Sequence, residues 1–318
     1  MNRFVAVLLG TLAFCGLATA QTARTEVHPL LSVTLTVNQI LHGDLNGKPV
    51  TLAGELRLPR AGTDRLPVVI LVHGSNGVGG NIDAWAREIN ALGAAAFILD
   101  SFSGRGITST VSDQTQLEHL AMMTDVFRAK ALLARHPRID PARIAVMGFS
   151  KGAVAAIYSS SARFQKLYDP DGARFAAHIG LYTPCYMRLR EEEKTTGAPI
   201  RLFHGAPDDW VPVAPCREYV ARLKQAGADV SLTEYPGAWH GYDSPATSPP
   251  IVNAQAQTAR ACRMQESTDG RLLNTATGQE FSYADACVQR GAHIGYNPDA
   301  YAATLTAVRA FLKLAFKL

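Results

Sequence analysis

Charge is scarce in this chain: 18% of its 318 residues are charged, and the net charge of +4 is dispersed, with no basic block. Without a basic stripe there is no electrostatic footprint for nucleic acid, so none is expected as a partner. Long apolar runs are missing too. The run from Phe4 to Leu17 follows a single charge at Arg3 and closes on Ala18-Thr19-Ala20. It is too short and wrongly flanked for a membrane span and matches a secretory leader with an A-x-A cleavage site. Residues 1–20 are therefore expected to be removed, leaving residues 21–318 exported to the periplasm or medium with no stable membrane insertion. Phe14, directly before Cys15, is bulkier than lipid-attachment sites accept. No C-x-x-C or H-x-x-x-H spacing occurs, so neither a metal nor an organic cofactor is expected.

What is present is an ordinary globular composition, 47% hydrophobic with 26 Gly and 17 Pro, long enough for one large alpha/beta domain or two small ones. Four cysteines remain after the leader, Cys185, Cys216, Cys262 and Cys287. An oxidising compartment favours two bridges, and four cysteines allow three pairings.

Along the chain, Leu31 to Val37 and Val50 to Leu58 alternate like half-buried strands around the polar break that follows at Pro59 to Pro67, which suggests an antiparallel start to a mixed sheet. Pro67 to Val72 and Ala94 to Leu99 are continuous apolar runs, as expected of strands covered on both faces. Between them Asp83 to Leu92 fits an amphipathic helix. Asp113 with Gln116 forms a capping pair for a helix whose buried stripe is Leu117, Leu120, Ala121, Phe127 and Ala131. Ala176 to Leu181, Pro199 to Phe203 and Val230 to Tyr235 are further strand candidates, with helices over Cys216 to Gln225 and Ala300 to Phe316. This alternation predicts a doubly wound, mostly parallel alpha/beta sheet with helices on both faces. Residues 243–298 break the pattern: they are polar, carry turn signals at Asp269-Gly270 and Thr277-Gly278, and read as a surface excursion near the site rather than a separate domain. A Cys262–Cys287 bridge would staple them, worth about 3 kcal/mol in the loop-entropy account.

The chain is organised around Ile144-Ala145-Val146-Met147-Gly148-Phe149-Ser150-Lys151-Gly152-Ala153. A serine in G-x-S-x-G between a strand and a helix is a nucleophile elbow, in which the sharp turn lifts the hydroxyl above the sheet edge. A serine hydroxyl needs an imidazole to take its proton and a carboxylate to orient that imidazole. Asp208, just beyond the Pro199 to Phe203 strand, is the expected acid, with Asp209 its competitor; a turn cap is the plainer role for either. His240, after the last strand and before Gly241, is the expected base. His73 and His204 precede glycines at strand ends and read as structural, while His119, His136, His178 and His293 fall outside the required order. Donors for a developing oxyanion are expected from the backbone N–H groups of Lys151 and Ser75, with the Lys151 side chain in solvent.

Taken together, G-F-S-K-G, H-G-S-N-G, D-S-F-S-G-R-G from Asp100 to Gly106, G-A-P-D-D-W-V-P and G-A-W-H-G-Y-D resemble the dienelactone hydrolase family of alpha/beta-hydrolases, with a partial match at Gly295-Tyr296-Asn297-Pro298. The resemblance implies Ser150 as nucleophile, Asp208 as acid and His240 as base. The enzyme that named the family carries a cysteine nucleophile, whereas this chain has Ser150, which shifts the expectation from dienelactones to carboxylic esters and lactones at large. A peptidase of the prolyl oligopeptidase kind and a non-catalytic binding relative are the rival readings. Arg105 suits either a substrate carboxylate or a salt bridge or helix cap. Cys185 follows one strand and Cys216 the acid loop, so a Cys185–Cys216 bridge is expected to hold that loop and a pocket wall of Tyr182, Tyr186 and Trp210.

Overall fold

The computed structural model describes residues 22–318; the leader and Cys15 lie outside the described residues. In chain order the elements are β1 (Arg24–Thr34), α1 (Val37–His42), β2 (Lys48–Leu58), β3 (Leu66–Val72), α2 (Gly80–Ala91), β4 (Ala95–Asp100), α3 (Ala121–Ala134), β5 (Ile139–Phe149), α4 (Lys151–Tyr158), α5 (Ala162–Tyr168), β6 (Ala177–Leu181), β7 (Met187–Arg188), β8 (Ile200–Gly205), α6 (Ala214–Gln225), β9 (Val230–Tyr235), β10 (Ile251–Thr258), β11 (Met264–Glu266), β12 (Leu272–Asn274), β13 (Gln289–Ile294) and α7 (Pro298–Phe316).

Eight strands form one sheet in the order β1-β2-β4-β3-β5-β6-β8-β9. β1 with β2 and β2 with β4 pair antiparallel, and every later pair is parallel. The continuous apolar runs follow from cover on both faces. Val68, Ile70, Val72, Ile144 and Val146 point to a core shared with α3, α4 and α6. Their alternates Val69, Leu71, Ala145 and Met147 point the other way, onto Trp85 and Ile89 of α2 and Val308, Leu312 and Phe316 of α7. Parallel strands bring their carboxyl ends to one rim, so the turns after β3, β5, β8 and β9 gather there.

Three local expectations are corrected. The first strand is Arg24–Thr34 rather than 31–37, because Thr36 stops it: its hydroxyl accepts from the Gln39 N–H, Gln39 returns to the Thr36 N–H, and this capping box starts α1 at Val37. Asp113 caps only the single turn Gln114–Gln116, and α3 begins at Ala121, so Leu117 and Leu120 are buried ahead of the helix instead of on its stripe. Residues 243–298 are less of a surface excursion than their polarity suggests. β10 pairs with β13, β11 with β12, and β11 also runs parallel to β7, while Ala256, Gln257, Thr258, Met264 and Glu266 are buried.

Candidate active site

Ser150 stands between the last residue of β5 and the first of α4 with φ +50° and ψ −116°. A serine held in this sparsely populated region marks a site where the surrounding fold fixes an unfavourable backbone. Its N–H donates to Leu181 O at 3.0 Å and its C=O accepts from Ala153 N at 2.9 Å. The glycines two residues either side are needed for contact rather than flexibility. A Cβ on Gly148 would meet the Gly152 carbonyl, and one on Gly152 would meet the carbonyls of Val72 and His73. The helix start, the strand end and the neighbouring β3 turn are thereby pressed together.

The rim delivers the expected partners. His240 Nε2 lies 2.9 Å from Ser150 Oγ, and His240 Nδ1 lies 2.8 Å from Asp208 Oδ2. The other carboxylate oxygen of Asp208 accepts the N–H groups of Trp210 at 3.0 Å and Val211 at 2.9 Å. His204 Nε2 approaches Asp208 Oδ2 at 3.5 Å and bonds Val211 O at 2.7 Å, which pins the acid loop to the end of β8. Asp208 and His240 are both buried. Burial alone would raise the Asp208 pKa, but the adjacent His240 charge and the hydrogen bonds from His204 and His240 outweigh it and hold this carboxyl well below its usual range. Rings close over the imidazole: Tyr182 at 4.7 Å and Trp210 at 4.8 Å between centroids.

Asp209 turns the other way. It accepts the His293 N–H at 2.8 Å and bonds His293 Nδ1 at 2.7 Å, so the two consecutive acids serve opposite sides of one loop. His73 is structural: its Nδ1 bonds Gly74 O at 2.8 Å, its Nε2 accepts from Ser101 N at 3.2 Å, and burial lowers its pKa.

Ser75 and Lys151 both border the cavity at Ser150. Neither backbone N–H meets an acceptor among the described residues, and Lys151 opens a helix, where the first amides have no partner within the helix. Thr110 N at 2.8 Å and Ser109 Oγ at 3.2 Å fasten Ser75 O and set the loop. The Lys151 side chain is not in solvent, contrary to expectation. It is 1% exposed, with Nζ donating to Gln114 Oε1 at 3.0 Å and Gln114 O at 3.3 Å. Burial pushes its pKa down to about 7 against the pull of Glu118 and Asp113. Gln114 in turn bonds the Ser75 hydroxyl at 3.1 Å and takes Gln257 Oε1 on its own N–H at 2.7 Å. Neither Gln was singled out in the sequence. A glutamine carries no charge or motif, and only the fold brings Gln257 across from the 243–298 segment.

Arg105 is the one site candidate the structure removes from the pocket. Its five N–H donors are all spent, on both oxygens of Asp125 at 2.8 and 3.0 Å, Thr34 Oγ1 at 2.8 Å, Ser101 O at 2.7 Å and Val33 O at 3.0 Å. A guanidinium with no free donor in a buried pair is a strut between β1, the β4 turn and α3, and cannot take a substrate carboxylate. Tyr182 lines the open cleft with its ring while its hydroxyl donates to Asp243 Oδ1 at 2.8 Å. Asp243 also accepts Trp85 Nε1 at 2.8 Å; this buried carboxylate, the last residue of G-A-W-H-G-Y-D, ties α2 and the β6 turn to the histidine loop, a role that its place in the motif does not reveal. Trp210 lines the cleft and donates Nε1 to Gln257 O at 3.1 Å. Tyr186 lies deeper, on the Lys151 side, with its hydroxyl 3.1 Å from His119 Nε2. Disulfides join Cys185 to Cys216 and Cys262 to Cys287. The first tethers the β6 turn to the start of α6, on either side of the acid loop.

One cluster has metal-ligand residue types: Glu26, His28 and His136, whose ligand atoms lie within 4.8 Å of one another. Its chemistry fits hydrogen bonding instead. Arg138 N donates to His136 Nδ1 at 3.2 Å, so His136 Nε2 carries the proton and points it at Glu26 at 3.0 Å, leaving His136 no lone pair for an ion, and His28 Nε2 lies within hydrogen-bond distance of the same Glu26 oxygen at 3.1 Å.

No curated protein sequence matches the chain. Solved structures do. A dienelactone hydrolase-like promiscuous phosphotriesterase from metagenomic libraries superposes with TM-score 0.56 at 14% identity, covering 92% of this chain and 99% of that one. An alpha/beta hydrolase from a Medee basin deep-sea metagenome library gives 0.53 at 15%, again with 92% and 99% coverage. Esterase 2 of Thermogutta terrifontis, phosphoramylated by tabun, gives 0.50 at 17% over 70% of this chain and 86% of that one. At these identities the likeness establishes the alpha/beta-hydrolase fold. The sequence model of the dienelactone hydrolase family matches residues 52–269, which takes in the β3 turn, the elbow, the acid loop and the histidine, and the chain therefore belongs to that family of hydrolases.

Proposed function

We propose that the protein is an exported serine hydrolase that cleaves carboxylic esters or lactones through an acyl-enzyme. The observation that carries the reading is the unbroken relay from Ser150 Oγ through both nitrogens of His240 to Asp208, at 2.9 and 2.8 Å. In this reading His240 takes the Ser150 proton as Oγ attacks the carbonyl carbon, and Asp208 holds the imidazole tautomer and steadies its charge. The oxyanion is received by the Ser75 and Lys151 amides, and His240 then gives its proton to the departing alcohol oxygen. Water, activated by the same imidazole, frees the acid and restores Ser150. In a lactone the alcohol stays attached to the acyl group, and the product is a hydroxy acid. The chemistry calls for no metal or organic cofactor.

Two cavities flank Ser150. The cleft of about 100 Å³ beneath Tyr182, Trp210 and Ile294 is open to a small molecule. The one toward Gln114 and Lys151, about 10 Å³, has room for little more than a water. We assign the substrate's bulk to the first. We also take residues 21–318 as one domain in which 243–298 is built into the pocket, since Gln257, Thr258 and Ile294 line these cavities. Export is supported by the two disulfides, and no helix among the described residues is long and apolar enough to cross a membrane.

Ser150→Ala is expected to lower kcat/KM for short p-nitrophenyl esters by at least about 10³-fold with the thermal midpoint unchanged, and a fluorophosphonate probe is expected to label Ser150. Wild-type turnover in this variant would overturn the proposal.

A further inference from the structure

Beyond the Lys151 side of the site lies a cavity of about 280 Å³ that the proposed reaction does not use. The 243–298 segment roofs it with Met264, Leu272 and Phe281, and Val37 and Met187 close it from below. His119, Tyr186 and Tyr283 line both this cavity and the small one beside Ser150, so they form the partition between the two. The partition is bonded shut: the Tyr186 hydroxyl lies 3.1 Å from His119 Nε2 and the Tyr283 hydroxyl 2.9 Å from His119 Nδ1.

Formal charge around the cavity is of one sign. Glu118 and Glu280 line it, and no Lys or Arg does. Glu280 accepts from Asn38 Nδ2 at 3.0 Å. The Glu118 carboxylate has neither a hydrogen-bond donor nor an ion-pair partner among the described residues. Burial raises its pKa, with Lys151 across the partition opposing the rise and Glu280 adding to it. Asn38, also in the lining, has its Oδ1 sealed from solvent without a donor. The walls therefore offer thioether, aliphatic and aromatic surface together with one sealed acceptor, Asn38 Oδ1, and two carboxylates.

An anion here would face two carboxylates, exposed Glu280 and half-buried Glu118, and a plain hydrocarbon would leave Glu118 without a partner. A ligand with an apolar body and a cationic head answers both features, and the aromatic rings of Tyr186, Phe281 and Tyr283 in the lining add attraction for such a head. We propose that this cavity is a binding site for a small organic cation of the aryl- or alkylammonium class. The inference is independent of the hydrolase reading, because the partition separates the cavity from Ser150.

The test is calorimetric titration of the purified, disulfide-intact protein with benzyltrimethylammonium, benzyl alcohol and benzoate. The cation is expected to bind at least tenfold more tightly than the neutral alcohol, with benzoate not binding. The Glu118→Gln/Glu280→Gln double variant is expected to lose at least tenfold for the cation and nothing for the alcohol. Affinity for the cation within twofold of the alcohol, or unchanged in a folded double variant, overturns the proposal. Labelling Ser150 with a fluorophosphonate beforehand is expected to leave cation binding intact. Its loss would place the cation in the Ser150 cleft and overturn the proposal without touching the hydrolase reading, and this arm decides the matter should the double variant fail to fold.

Discussion

Residues 66–240 and residues 243–298 both border Ser150, yet different forces hold them. In the first stretch the chemistry hangs from the ends of β5, β8 and β9, strands of one sheet whose interior members β3 and β6 are buried at every residue and paired on both sides. The later segment has strands of three to eight residues in two small sheets. It is fastened by cross-links: the Cys262–Cys287 bridge, the paired contacts of Arg163 with buried Glu266 at 2.8 Å, and His293 on Asp209. A sheet fixes where reacting atoms stand, whereas cross-links fix what surrounds them. Damage to the frame should therefore strike turnover, and damage to the segment should strike stability and substrate affinity.

The adjacent acids divide along that line and give the largest expected contrast. Asp208→Asn removes the group that sets the His240 tautomer and should lower kcat by about 10⁴-fold with little loss of stability. Asp209→Asn touches the His293 clamp and a longer ion pair to Arg260 at 3.8 Å, and should leave kcat within about threefold while costing roughly 1 kcal/mol in denaturant unfolding. Equal losses of kcat in the two variants would erase the distinction between frame and segment.

A smaller effect is expected from opening the staple. The Cys262–Cys287 loop spans 25 residues, and the Cys262→Ser/Cys287→Ser double variant should lose about 3 kcal/mol in the loop-entropy account. Because Thr247 and Ile294 sit on the same segment and line the cleft assigned to the substrate, KM should rise while kcat changes little. A fall in kcat with KM unchanged would mean that the segment positions the reacting groups themselves.

The same division governs what could be read from the letters. The apolar runs of β3, β4 and β5 announce a sheet covered on both faces, and the turns that follow β5, β8 and β9 name Ser150, Asp208 and His240, because each lies within a few residues of a recognisable strand end. Arg105 stays open between a substrate carboxylate and a salt bridge in the letters for the opposite reason: its partners Thr34 and Asp125 lie 71 and 20 residues away in sequence, and only the fold reveals that the salt bridge is the one formed and that all five donors are occupied. The 243–298 segment hid its role because it folds onto the frame with polar residues such as Gln257 and Glu266, which burial turns into pocket wall and anchor. The start of α1, by contrast, is legible locally, since Thr36 and Gln39 spell a capping box.

Lys151 tests the boundary most finely, since its backbone belongs to the frame while its ammonium rests on Gln114, which Gln257 of the segment holds. Its pKa of about 7 in the folded protein lies below the value near 10.4 expected of an unfolded lysine. Between those two values the unfolded chain binds more protons, so this residue makes stability rise with pH across that window. Below pH 7 both states are protonated, and the full penalty of a buried ammonium remains. Lys151→Met, which keeps the backbone N–H, should therefore stabilise the protein by roughly 1–3 kcal/mol at pH 6, with the gain shrinking steadily above pH 7 and gone near pH 10.5. Denaturant unfolding at pH 6, 8 and 10 measures it. A gain that is independent of pH would mean that the amine stays protonated in both states across the window and that burial does not lower its pKa, and a loss would mean that the Gln114 contacts outweigh its desolvation and that the segment grips the frame through this side chain.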